Sequence, residues 1–153
     1  MIRTKKRMIL CCVLVLVLLA FIWGNSVRTG SESGAMSGSI LAWINGLLHL
    51  DETCAERLHL VIRKMAHFTE FACLGALLAW LFGMMGEKKG HLICMPLFFG
   101  MMAACVDETI QAFVPDRGPS IRDVAIDTCG VAAGIGLLLL VHKFVINYPQ
   151  RRN

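Results

Sequence analysis

The chain has 153 residues, 56% hydrophobic and only 17% charged, with a formal net charge of +4 and a mean hydropathy of +0.64. A soluble domain carries about 45–50% apolar and about 25% charged residues, so this balance excludes an ordinary soluble domain and points to a membrane protein. The small positive charge leaves no nucleic-acid footprint. Among the seven cysteines, Cys11, Cys12, Cys73, Cys94, Cys105 and Cys129 lie inside apolar runs. No CxxC pair occurs, which argues against a disulfide framework or structural zinc and for thiols acting as small hydrophobes in lipid or core.

A spanning helix needs about 20 largely apolar residues, and four segments meet or approach that length: about 8–23, 63–85, 91–114 and 123–146. The first follows the basic "RTKKR" and ends at Trp23. It reads as a retained helix with an interfacial anchor, because no A-x-A-like cleavage site follows it directly. The loop 24–62 is Ser/Gly-rich at "SVRTGSESGAMSGS" and then apolar at "ILAWINGLLHL". The second part has helical spacing but is too short to span, so it is expected to lie in the interface or across the helix tops. The expected architecture is all-α: one polytopic membrane domain over 1–153, with four transmembrane helices and an outer amphipathic segment.

Basic residues set orientation, because Lys and Arg are retained on the cytoplasmic side. They gather before the first span (Arg3, Lys5, Lys6, Arg7), in the tight link "GEKKGH" (Lys88, Lys89) and at the end of the chain (Lys143, Arg151, Arg152). Four spans place all three groups on one side. Both termini are therefore expected in the cytoplasm, with loops 24–62 and 115–122 facing outward.

Against this apolar background, polar groups cluster at one rim. The second span carries Arg63, Lys64, His67 and Glu70. The third carries Asp107, Glu108 and Gln111, and the fourth Asp123 and Asp127. Spacings of three and four residues put each set on one helix face. Ionisable groups at membrane depth cost about 2.5–3.5 kcal/mol each on insertion scales, so such faces turn toward one another. Between the last two spans "VPDRGPS" supplies helix-breaking Pro115 and Pro119. Ser120 can cap the next helix, and Arg117 is held over the carboxylates, with Arg122 as a further cation. Phe68, Phe71 and Phe113 flank the clusters as packing residues. Gly130 and Gly134 form a GxxxG on the fourth span, followed by Gly136, and Gly75 sits on the second span; such small residues let helices pack closely in lipid.

Three readings of this rim follow. In the first, Lys64, His67, Glu70, Asp107, Glu108, Gln111, Arg117 and Asp123 form an outward-facing binding pocket for the head group of an envelope lipid, a lipid-linked wall precursor or another amphiphile, since Arg suits bidentate recognition of phosphate or carboxylate. In the second, the site is an intramembrane hydrolase or transferase. His67 would be the general base, Glu70 or Asp107 would orient it, and Arg117 would stabilise a developing anion; Glu70, Asp107, Glu108 and Asp123 could alternatively hold a hard divalent cation. In the third, the charges are a structural network that fixes helix register. No nucleophile elbow, Ser/Lys dyad or HExxH is present. A proton relay through His67 and Glu70 is the weakest reading, because four helices make a small transporter unless the chain self-associates.

Two stretches, "RKMAHFTEFACLGALL" and "DETIQAFVPDRGPSIRDVAIDTCGVAAG", give the chain a resemblance to the VanZ-like family of small bacterial membrane proteins. The resemblance rests on Lys64, His67, Phe68, Glu70 and Phe71, and on Asp107, Glu108, Gln111, Phe113, Pro115, Arg117, Ser120, Asp123, Gly130 and Gly134. It extends over most of 8–146. It implies a multi-pass protein of the bacterial plasma membrane with a cell-envelope role linked to glycopeptide (teicoplanin) resistance, and it specifies no cofactor. Three positions depart from the family pattern: Asp127 stands where Asn is usual, Phe71 for Tyr and Asp116 for Gly.

Overall fold

A computed structural model describes residues 2–28, 51–86, 90–115 and 117–147, together with positions 38, 42–44 and 46. Four long helices account for most of them: α1 (Ile2–Ser26), α2 (Glu52–Met84), α3 (His91–Ala112) and α4 (Ile121–Asn147). Each is long and apolar enough to cross a membrane. The chain is thus an all-helical, multi-pass membrane protein. Most of the expected amphipathic run 40–48, the residues Lys88, Lys89 and Asp116, and the C-terminal Arg151 and Arg152 lie outside the described residues.

One boundary differs substantially from the sequence expectation. The second helix begins at Glu52 rather than near 63 and runs for 33 residues, about 50 Å at 1.5 Å per residue. Glu52, Glu56, Arg57 and Arg63 lower the hydropathy of its first three turns and hide them from a search for spans. The start is nonetheless specified locally. Asp51 is extended at the N-cap and its carboxylate accepts the Cys54 amide at 2.7 Å, satisfying one of the orphan donors of the first turn.

The helices alternate in direction. Cys11 of α1 lies beside Leu77 of α2, Trp23 beside Ala103 of α3, and Lys64 of α2 beside Asp123 of α4. α2 and α3 each touch every other helix. The core between them is built from Ile22, Phe71, Leu74, Leu78, Ala104, Val131 and Ile135.

The tightest contact is the seam between α2 and α4. A β-carbon added to Gly134 would stand 1.8 Å from the Ala72 carbonyl oxygen, one on Gly130 2.5 Å from that of Phe68, and one on Gly75 2.2 Å from that of Val131. The two backbones therefore touch, as the GxxxG predicts. Gly136 has open space around it and takes no part. On the opposite side, α1, α2 and α3 leave an apolar groove of about 280 Å³ lined by Val15, Leu19, Trp23, Leu74, Phe99 and Val106 among others.

Candidate functional site

The α3–α4 turn marks one end of the bundle, and the polar residues converge there. α3 delivers Asp107, Glu108 and Gln111 in its last two turns and α4 delivers Asp123 and Asp127 in its first two. α2 passes the same level at Lys64–Glu70, with its extra turns continuing beyond.

Asp107 is the centre of the arrangement and is fully buried, at 0% exposure. One carboxylate oxygen accepts the Ser26 hydroxyl at 2.6 Å and the other the Gln111 side-chain amide at 2.7 Å. Gln111 also reaches the Ser26 hydroxyl at 3.3 Å. His67 Nδ1 stands 3.9 Å from Asp107 Oδ2, inside ion-pair range but too far for a hydrogen bond. Asp127, 3% exposed, joins them. One ligand atom each from His67, Asp107 and Asp127 all lie within 4.8 Å of one another.

The remaining expected residues sit around this centre. Glu108 accepts the Ser120 backbone amide through one oxygen, while its other oxygen is buried without a protein partner. Ser120 precedes α4 as expected, and the bond found there is made by its amide. Glu70 lies deeper, within hydrogen-bonding reach of Asn25, and one of its oxygens is likewise buried and unpartnered. Lys64 pairs with Asp123 at the partly exposed rim. Phe71 is buried in the core, whereas Phe113 is 85% exposed and so does not pack beside the site as expected. Arg122 is exposed and does not line the cavity.

Arg117 lies close enough to Asp107 and Glu108 to feel their charge, as expected, but hydrogen-bonds to neither. Its Nη1 donates to the Ser26 backbone carbonyl at 3.3 Å, while Nε and Nη2 are buried with no protein partner. Burial, followed by the nearby Arg63, pushes the guanidinium below its ordinary pKa. A cavity of about 190 Å³ opens beside it, lined by Arg63, Lys64, His67, Gln111, Asp123 and Asp127 as well as Arg117. Of the eight residues expected in the pocket, Lys64, His67, Gln111, Arg117 and Asp123 line this cavity. Glu70, Asp107 and Glu108 form its buried surroundings.

Sequence reasoning left out α1. Asn25 and Ser26 are the first polar residues after the first apolar run, so they stop at the same level as the other three clusters. That coincidence of depth is the signal that could have found them.

A family model described as VanZ/LLP1 matches residues 8–142. No curated protein and no solved structure matches the chain.

Proposed function

The chain belongs to the VanZ/LLP1 family, and we propose that its rim cavity binds the anionic head group of an envelope lipid or amphiphile. The observation that carries this reading is Arg117. A buried guanidinium with two unpartnered nitrogens, beside a cavity that Arg63 and Lys64 also line, leaves hydrogen-bonding capacity that an incoming phosphate or carboxylate would satisfy. The Ser26 carbonyl holds one arm of the fork and leaves the others free to recognise. Lys5, Lys6 and Arg7 in the first turns of α1 stand at the other end of the bundle from Ser26 and the cavity, which supports an outward-facing mouth and a cytoplasmic N-terminus. A role in glycopeptide susceptibility follows from the family's association with teicoplanin.

Arg117→Lys separates recognition from charge balance, because Lys keeps the charge and loses the planar fork. The variant should insert and purify like wild type, yet retain less co-purifying anionic lipid and change teicoplanin susceptibility. A well-expressed Arg117→Lys protein with wild-type lipid content and susceptibility would overturn the reading.

The carboxylates around His67 favour a second reading, an intramembrane hydrolase or transferase with His67 as base and Glu70 or Asp107 orienting it. The separation of His67 from Asp107 requires that pair to draw together before Asp107 could orient the imidazole. Turnover of a lipid-linked precursor by wild type and not by His67→Gln would favour this reading over binding alone.

A further inference from the structure

The geometry points to a divalent transition-metal site formed by His67, Asp107 and Asp127. This is a different set from the all-carboxylate ligands suggested by sequence. It brings one imidazole and two carboxylates from three helices to within 4.8 Å. Ligand atoms sit about 2.0–2.2 Å from a zinc-sized ion, so two of them stand roughly 3–4 Å apart, and the three donors need to close by only about 1 Å. Mixed imidazole and carboxylate donors suit Mn²⁺, Fe²⁺ or Zn²⁺ better than Ca²⁺ or Mg²⁺.

Three further observations support an ion there. The first is unsatisfied buried capacity: Glu108, 7% exposed, keeps one oxygen without a protein partner, and Glu70 keeps another. Both carboxylates are close enough for their charge to act on Asp107 and Asp127.

The second is charge balance. Glu70, Asp107, Glu108 and Asp123 all bear on Asp127, and the cations that line the cavity are Arg63, Lys64 and Arg117. These carboxylates come from three helices and outnumber the lining cations, so an added cation would relieve their mutual repulsion.

The third is support around the ligands. Ligating carboxylates are held by outer hydrogen bonds that fix their orientation. Asp107 is held in this way by Ser26 and Gln111, two neutral donors that orient it without cancelling its charge.

The cavity lies beside the three ligands, with His67 and Asp127 in its wall. An ion there would keep coordination positions open to water or to an anionic oxygen. The site does not depend on which head group, if any, the cavity takes.

The test uses untagged full-length protein in detergent, stripped with chelator and titrated with Mn²⁺, which thiols compete for less strongly than Zn²⁺. Expected are one equivalent bound, a nitrogen coupling to the ion in pulsed paramagnetic resonance, and displacement by Zn²⁺. His67→Gln should abolish the nitrogen coupling, and Asp127→Asn should weaken binding tenfold or more. Gly136→Ala, in open space on α4 and away from the site, should leave both unchanged. Wild type alone decides the matter if a variant does not purify: failure to retain Mn²⁺, or retention without nitrogen coupling, overturns the site. Equal binding by wild type, His67→Gln and Asp127→Asn overturns it as well. Loss of metal would leave the Arg117→Lys lipid result untouched, so the two proposals fail separately.

Discussion

The two sides of α2 are built on different principles. Toward α4, glycines bring backbone against backbone, and the Ala72 and Phe68 carbonyls sit where side chains would otherwise be. Toward α1, contact is made by side chains around an open apolar groove, and the specific links are few: the Cys11 thiol to the Leu77 carbonyl, Asn25 to Glu70 and, through α3, the Trp23 indole and Ser26 hydroxyl. Lipid provides no hydrophobic drive between helices, so close van der Waals packing and interhelical hydrogen bonds must hold them together. The seam uses the first means and α1 the second. The difference implies that α2 and α4 form the fixed frame of the site, while α1 is joined to it chiefly at the polar rim.

The largest effect should come from Gly134→Ala, whose β-carbon has no room against the Ala72 carbonyl. Overpacking costs about 1–3 kcal/mol and occasionally more, and here the obstacle is backbone that cannot rotate away. Gly136→Ala, in open space, is the internal control and should be neutral or slightly stabilising. Thermal stability in detergent distinguishes them; equal behaviour would break the contrast between a fixed seam and the rest. Next in size is Ser26→Ala, which removes the hydroxyl bond to buried Asp107 and should cost about 1–3 kcal/mol. The loss should appear as easier detachment of α1, read by proteolysis or amide exchange in that helix, with α2 and α4 still protected. The smallest change should be Trp23→Phe. It loses a 3.4 Å indole bond to the Ala103 carbonyl, worth about 1 kcal/mol or less, and a part of the ring at the edge of an already open groove; an effect as large as that of Ser26→Ala would show that α1 is held along its whole length.

Much of the architecture was legible because membrane burial writes long signals. The apolar lengths located all four helices, and the spacing of Gly130 and Gly134 marked a close-packing face on α4, whose partner, α2, only the structure names. The start of α2 was not legible in the same way. Its first turns mix Glu52, Glu56 and Arg57 with Leu58, Leu60 and Val61, which reads as loop on a hydropathy scale although Asp51 is a good N-cap. At the site, charge at membrane depth was the strong signal, and all eight expected residues gather at one end. Partnerships were harder to see. Charge places Arg117 near Asp107 and Glu108, but its bond to the Ser26 carbonyl is not legible, because an interhelical backbone acceptor has no sequence signature. Asn25 and Ser26 drew no notice because uncharged polar residues at a helix end are common. Asp127 departs from the family pattern, and it is among the most buried charges of the described residues.

The seam has a consequence for the height of every group at the rim. Gly130 and Gly134 meet the carbonyls of Phe68 and Ala72, and both pairs step by four residues, so they act as two teeth of a rack. Their β-positions lie so close to the oxygens that each glycine Cα stands at most about 3.3–4 Å from its carbonyl, near the span of a Cα–H···O contact. His67 comes just before the first tooth on α2, and Asp127 lies three residues before it on α4. A slip of one residue would present Cys129 and Ala133 to those carbonyls, and both carry a β-carbon. It would also displace Asp127 by about 1.5 Å along the helix and turn it by about 100°. The glycines therefore gauge the chemistry from a distance: they touch no ligand, yet they set which residue of α4 stands opposite His67.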